Sequence, residues 1–237
     1  MILTIHQPEH MPWLGFLNKL DASDTFVILD NVQYRHKYFQ NRNKIKGANG
    51  PLWLNVPVVS ANRRETKIKD IQINNNSNWG EKNWKSIYYA YGKSKYFKDY
   101  SDYFESTFLK EWANLCDLNI DIIKNLLGFL EIETNIQRAS ELPVEGQGEK
   151  LILDICKHYN PEVYISGITG IAGHGDRFEN EFVKAGIKVA YQDFTHPAYE
   201  QNHLKKKDFV PYMSAIDLLF NYGEQSIDII RSGWSIK

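Results

Sequence analysis

The sequence predicts an α/β fold: a Rossmann-like, mostly parallel sheet with an antiparallel hairpin insertion and a helical insertion. Three observations carry this. Short β-branched runs alternate with helix-period segments at both ends of the chain. An Asn49-Gly50 turn between apolar runs marks a hairpin after the first such unit. Residues 79–130 keep a helical apolar period throughout. The 237 residues are read as one α/β domain, 1–237, with 79–130 as the helical insertion within it.

Each element has a local reason. Ile2–Ile5 is a β-branched apolar strand. Pro12 suits the first turn of a helix, where its missing N–H costs nothing, and Trp13–Leu20 supplies the apolar positions of a short buried helix. After Asp21–Asp24, Phe26–Leu29 is continuously apolar, as a strand buried on both faces should be. Strand, helix and strand make a βαβ unit with a parallel sheet. Phe39–Ile45 and Leu52–Val58 flank the hairpin turn, and Ile68, Ile71 and Ile73 predict a third strand. Trp84, Ile87, Tyr88 and Tyr91 share a helix face, as do Tyr100, Phe104, Phe108 and Trp112, and then Ile123, Leu126, Leu127 and Leu130. The chain then returns to α/β. Strands are read at 132–137, 163–166 and 187–191, and helices at 152–159, 177–185 and 214–221, followed by a short amphipathic tail.

Composition narrows the function classes. With 28 Lys+Arg against 29 Asp+Glu the net charge is −1, which disfavours binding driven by phosphate neutralisation along a nucleic acid. The longest apolar runs are far too short to span a bilayer, and the N-terminus carries no signal-peptide pattern. Cys116 and Cys156 sit in helix-like apolar patterns, so a cytoplasmic protein with reduced thiols is expected. Aromatics are numerous, with 12 Phe, 14 Tyr and 6 Trp. Those on helical stripes are expected in the core; Trp13, Tyr34, Tyr38, Phe39 and Tyr199 fall beside polar strand ends.

Ligands of open parallel sheets bind beyond the carboxyl ends of the strands. Four predicted strand ends carry polar or glycine residues: His6 and Gln7; Asp30, Asn31, Gln33 and Tyr34; Ser166 and Gly167; and Asp193, Thr195 and His196. Their convergence on one edge predicts the site. His6 precedes a helix N-terminus and suits phosphate contact there. His6 and His10 would share a face only on a helix, which Pro8 and Pro12 oppose, so no metal site is read. The polar block 30–43 mixes cations, amides and aromatics, as a ligand with phosphate and sugar hydroxyls would require, though a solvated hairpin has the same texture. The two glycines of Tyr164-Ile-Ser-Gly-Ile-Thr-Gly170 are neither a Walker loop nor a dinucleotide fingerprint, so P-loop and nicotinamide readings are disfavoured.

These residues resemble a known family. His6-Gln7-Pro8, Pro12-Trp13-Leu14-Gly15, Asp30-x-x-Gln33-Tyr34, Asn41-Arg42, Tyr164-Ile165-Ser166-Gly167, Gly186-Ile187 and the run from Ser214 to Gly223 are similar to the WbqC-like family. His10 stands where that pattern carries an aromatic residue. The resemblance implies a place in bacterial O-antigen or other surface-polysaccharide synthesis. A looser likeness, from the first strand to Asn31-x-Gln33-Tyr34, is to pantothenate synthetase-type enzymes of the HIGH nucleotidyl-transferring superfamily. It implies ATP as a cofactor, although the chain has one histidine in suitable context and no KMSKS-like loop.

The expected function is therefore an enzyme that modifies an amino sugar or its nucleotide-linked form by N-acyl or aminoacyl transfer. His6 and His196 are the expected acid/base residues. Lys37 and Arg42 are expected to bind anionic groups, and Gln33, Asn41 and Ser166 hydroxyl or amide groups. Gln7, Tyr34, Gly167, His174 and Tyr199 complete the expected substrate site. The partner is a small-molecule sugar or nucleotide sugar. A non-catalytic sugar- or nucleotide-binding module and an interaction subunit of a glycan-assembly complex are the alternatives; oligomeric state, donor and acceptor stay open.

Overall fold

The structure is a computed structural model and describes residues 1–59, 65–167, 175–202 and 209–236. The main sheet contains β1 (Ile2–His6), β2 (Thr25–Ile28), β5 (Asn135–Arg138), β6 (Val163–Gly167), β7 (Lys188–Phe194) and β8 (Trp234–Ile236), in spatial order β5-β2-β1-β6-β7-β8. The first five run parallel, and β8 pairs antiparallel with β7. A separate antiparallel pair, β3 (Arg42–Gly47) and β4 (Gly50–Asn55), closes with Gly47 opposite Gly50, so Ala48 and Asn49 make a two-residue turn.

Strand alternation divides the interior. From β1, Leu3 and Ile5 join Val27 of β2 on one face, against Leu151 and Ile155 of α5 (Gly148–Tyr159) and Phe182 of α6 (Gly175–Lys184). On the other face Phe26 and Ile28 meet α1 (Leu14–Asp21). The same core takes in α2 (Trp79–Tyr91), α3 (Phe97–Leu109), α4 (Leu115–Phe129) and α7 (Ile216–Tyr222). Helix α8 (Ser226–Ser232) leads into β8. Helices on both faces of a parallel sheet are the doubly wound arrangement.

Two expectations are corrected. Ile68, Ile71 and Ile73 are buried but form no strand; Ile68–Asp70 is a 3₁₀ turn, and Ile73 makes an isolated bridge to Val58. Their three-then-two spacing fits a tight turn better than an extended alternation. Tyr88, placed on a helical stripe, is 55% exposed, whereas Trp84 and Tyr91 of that stripe are buried. Three-residue β8, for its part, is too short to carry a readable alternation.

Candidate functional site

Strand β1 continues through α1 to β2 on one side, whereas β6 lies on its other side and continues through α6 to β7. The chain leaves β1 and β6 in opposite directions, so a crevice opens between their carboxyl ends. It holds about 850 Å³. That volume suits a small-molecule ligand. His6 and Gln7 from the end of β1 and Ser166 and Gly167 from the end of β6 form its floor. The rim carries Asn31, Gln33, Arg35 and Tyr38, joined by Glu65, Lys67 and the residues leading into α5.

Two titratable groups, His6 and Lys19, line the crevice, and buried Glu9 lies close enough for its charge to act on Lys19. Nδ1 of His6 lies 2.9 Å from the Gln7 carbonyl oxygen, which fixes the neutral tautomer with Nε2 as the acceptor. Burial, with Lys19 close by, lowers the His6 pKa to about 3. Lys19 is 3% exposed and lines the crevice from α1. Its ammonium makes no hydrogen bond or ion pair with any described residue. Burial lowers its pKa to about 8, against the opposing charge of Glu9. Glu9 is itself buried with Oε2 unpartnered among the described residues, and burial raises its pKa to about 7. Asn31, also on the crevice lining, keeps a buried Oδ1 without a hydrogen-bond partner among the described residues. An unpaired cation and an unpaired acceptor in one cavity are costly unless a ligand completes them.

The helix N-terminus at this crevice is that of α5. Gly146 (φ 149°) and Gly148 (φ 56°) turn the backbone into the helix through conformations open to glycine, and no side chain caps it. Gly146, Gln147, Gly148 and Glu149 all line the cavity. The N-terminus of α1, expected beside His6, is instead covered. Trp13 bridges to Ser214, and the Ala215 N–H donates to the Pro12 carbonyl.

Of the expected site residues, the structure gathers His6, Gln7, Gln33, Ser166 and Gly167 around the crevice. Others lie elsewhere. Arg42 sets its guanidinium 4.5 Å from the Trp53 ring centre on the hairpin and donates to the carbonyl of Lys37, which lies in the turn before β3; neither lines the crevice. Asn41 donates to the Val56 carbonyl, again within the hairpin. Tyr34 is a core residue. Tyr199 donates its hydroxyl to buried Asp217, which also accepts from Tyr91 and Gln201. His196 stacks on Trp13 and Tyr199 amid Phe194, Phe209 and Tyr212, in an aromatic cluster apart from the crevice lining. His174 falls outside the described residues. Asp30, one of the strand-end polar residues, is wholly buried and holds Arg138 and Ser140.

Sequence reasoning missed Lys19 and the start of α5. Both left a signal. Asn18 and Lys19 are the polar residues enclosed by Leu14, Phe16, Leu17 and Leu20 in a helix too short to spare a solvent face, and Gly146-Gln147-Gly148 brackets a helix start with glycines. Among the described residues no group of three or more His, Cys, Asp or Glu is placed to hold a metal ion. No described helix is long and apolar enough to cross a membrane.

A family model described as the WbqC-like protein family matches residues 7–229 of the 237. The chain belongs to the WbqC-like protein family. Among relatives, the uncharacterized protein Rv1507c of Mycobacterium tuberculosis is 27% identical over 231 residues, covering 97% of each chain. No solved structure matches. In this WbqC-like chain the family match takes in every crevice-lining residue from Gln7 to Gly167, with Ile5 and His6 just before it. The looser likeness to the nucleotidyl-transferring superfamily draws no support from these matches.

Proposed function

We propose that this WbqC-like protein is an enzyme of bacterial surface-polysaccharide synthesis that modifies an amino sugar or its nucleotide-linked form by N-acyl or aminoacyl transfer. The observation that carries the reading is the mixed charge of one crevice. Lys19, Arg35 and Lys67 line it together with Glu65 and Glu149, and amides fill the space between. A substrate with an anionic end and an amino end matches that lining.

In the transfer the amine nitrogen attacks the carbonyl carbon of an activated acyl group. A C–N bond forms, the bond to the leaving group breaks, and the amine proton passes through a base to that leaving group. His6 Nε2 is the base in this reading, since its Nδ1 is held by the Gln7 carbonyl. The positive charge of Lys19 is one cause of the low His6 pKa. An anion on Lys19 cancels that charge and makes His6 more basic once substrate is bound. Asn31 and Ser166 supply polar contacts to the sugar. His196 takes no part.

Incubation with nucleotide-linked amino sugars, amino acids and acyl donors, with and without ATP, followed by mass spectrometry, is expected to give an amide product. His6→Gln is expected to lower turnover by roughly 10²-fold or more while ligand still stabilises the fold. Absence of both product and thermal stabilisation across the panel overturns the reading. A second reading, a non-catalytic binding module, is favoured by the low pKa of His6, which suits a hydrogen-bond partner better than a base. Stabilisation without product decides for it.

A further inference from the structure

We infer that Lys19 and the N-terminus of α5 together form a phosphoryl-binding subsite at the β1–β6 crevice. The inference rests on the reading above for its place in the cavity, and it names the chemical class of the anionic end: a phosphate or diphosphate.

Two independent observations meet there. The first is the ammonium of Lys19, a residue 3% exposed and lining the cavity, with no hydrogen bond or ion pair to any described residue. Glu9, the acid whose charge acts on it, keeps Oε2 without a hydrogen-bond partner among the described residues. A buried charge without a partner is held against a desolvation cost, and it becomes favourable when a counter-ion arrives. The second is the start of α5, where Gly146-Gln147-Gly148 enters the helix without a side-chain cap and lines the same space. Helix N-terminal N–H groups point out along the axis and carry partial positive charge, so they receive an anion.

The two come from opposite faces of the sheet. Helix α1 belongs to the core that holds Phe26 and Ile28, whereas α5 packs against Leu3 and Ile5. On a helix a lysine stem leans toward the N-terminus, which carries the ammonium of Lys19 up toward the strand ends. A phosphoryl group at the end of β1 can then accept from Lys19 on one side and from α5 N–H groups on the other. His6 and Ser166 lie at the same floor. Glu149, in the first turn of α5, and Glu65 face the same cavity. They repel a second anion and suit the amino end of the ligand.

Lys19→Met keeps the stem in its packing and removes only the charge, so its fold can be checked by circular dichroism and unfolding. Binding of inorganic phosphate and of pyrophosphate at pH 7 is measured by calorimetry and by ³¹P line broadening. The wild type is expected to bind, and Lys19→Met to bind at least about tenfold more weakly, the loss of one charge-assisted hydrogen bond. Glu149→Gln is expected to tighten binding severalfold. Arg42→Ala is expected to leave it within about twofold, because that guanidinium lies over Trp53 on the hairpin. A folded Lys19→Met that binds as the wild type does, an Arg42→Ala that alone loses binding, or a wild type that binds neither anion overturns the subsite. Anion binding that depends on Lys19, in a protein that forms no amide from any donor, sustains the subsite and overturns the transfer reading alone.

Discussion

His6 and His10 stand four residues apart and meet different fates. His6 opens on the crevice with Nε2 as an acceptor. His10 is wholly buried, 3.1 Å from Oδ1 of Asn119 through Nδ1 and edge-on to Phe108. Burial lowers the His10 pKa to about 4, despite the Asn119 hydrogen bond. Both histidines titrate lower when folded than unfolded, so below pH 6.5 the unfolded chain takes up protons that the folded chain refuses. Stability is therefore lost as pH falls from 6.5 toward 4 for His10, and toward 3 for His6. Glu9 acts oppositely: folded, it keeps a proton between pH 7 and 4.5 that the unfolded chain releases. It offsets one of the two histidines. His10→Asn is expected to shrink the stability loss between pH 7 and pH 4.5 by roughly 2 kcal/mol, measured by urea unfolding at both pH values. Equal losses in variant and wild type would show that His10 does not titrate as its burial requires. Residue types at strand ends were readable from order and period. The opposite environments of two histidines in one loop were not, because Asn119 and Phe108 approach from about a hundred residues away.

Among the elements, α4 has the clearest local cause. Asn114 accepts from the N–H groups of Cys116 and Asp117 and donates 2.6 Å to the Lys69 carbonyl, so one side chain caps the helix and ties down the 3₁₀ turn before it. Asn114→Ala is expected to cost about 1–2 kcal/mol in urea unfolding, with Asn114→Asp recovering part through the restored cap. An unchanged midpoint for the alanine variant would remove the cap from the account. The parallel strands and the hairpin were legible because each depends on a few adjacent residues, although the turn falls on Ala48-Asn49, one residue before the expected Asn49-Gly50. The turn at Ile68–Asp70 was not, since an apolar triplet reads alike in a strand and in a turn pinned by Asn114. The expected helix N-terminus at the site shifted from α1 to α5 for a similar reason: Ser214 and Ala215, two hundred residues away, cover the first.

At the scale of the molecule, buried carboxylates join distant segments. Asp217 of α7 accepts from Tyr91 of α2 and from Tyr199 and Gln201, while the Tyr91 hydroxyl also accepts from the Lys46 N–H of β3. One side chain thereby fixes α2, α7 and the hairpin relative to one another. Three donors aimed at a carboxylate leave an amide with one acceptor too few, and an unsatisfied buried donor is expensive. Asp217→Asn is expected to destabilise the protein by about 3 kcal/mol, read from the urea midpoint, with phosphate binding at the crevice retained in the folded fraction. A midpoint equal to the wild type would mean that these bonds contribute nothing net.

By itself the sequence determined the parallel α/β plan, the hairpin and, of the four polar strand ends expected at one edge, the three that border the crevice, those of β1, β2 and β6 but not that of β7. Those follow from period, turn chemistry and chain order, all of which act over a few residues. Only the tertiary structure decided which polar groups are spent and which are left over. Asp30 is consumed by Arg138 and Ser140, Arg42 lies over Trp53, and Tyr199 serves Asp217, while Lys19 stays buried with no hydrogen bond or ion pair to its ammonium among the described residues. Whether a charge is satisfied depends on groups brought near it from elsewhere in the chain and on the water they exclude, and neither is written in its local sequence.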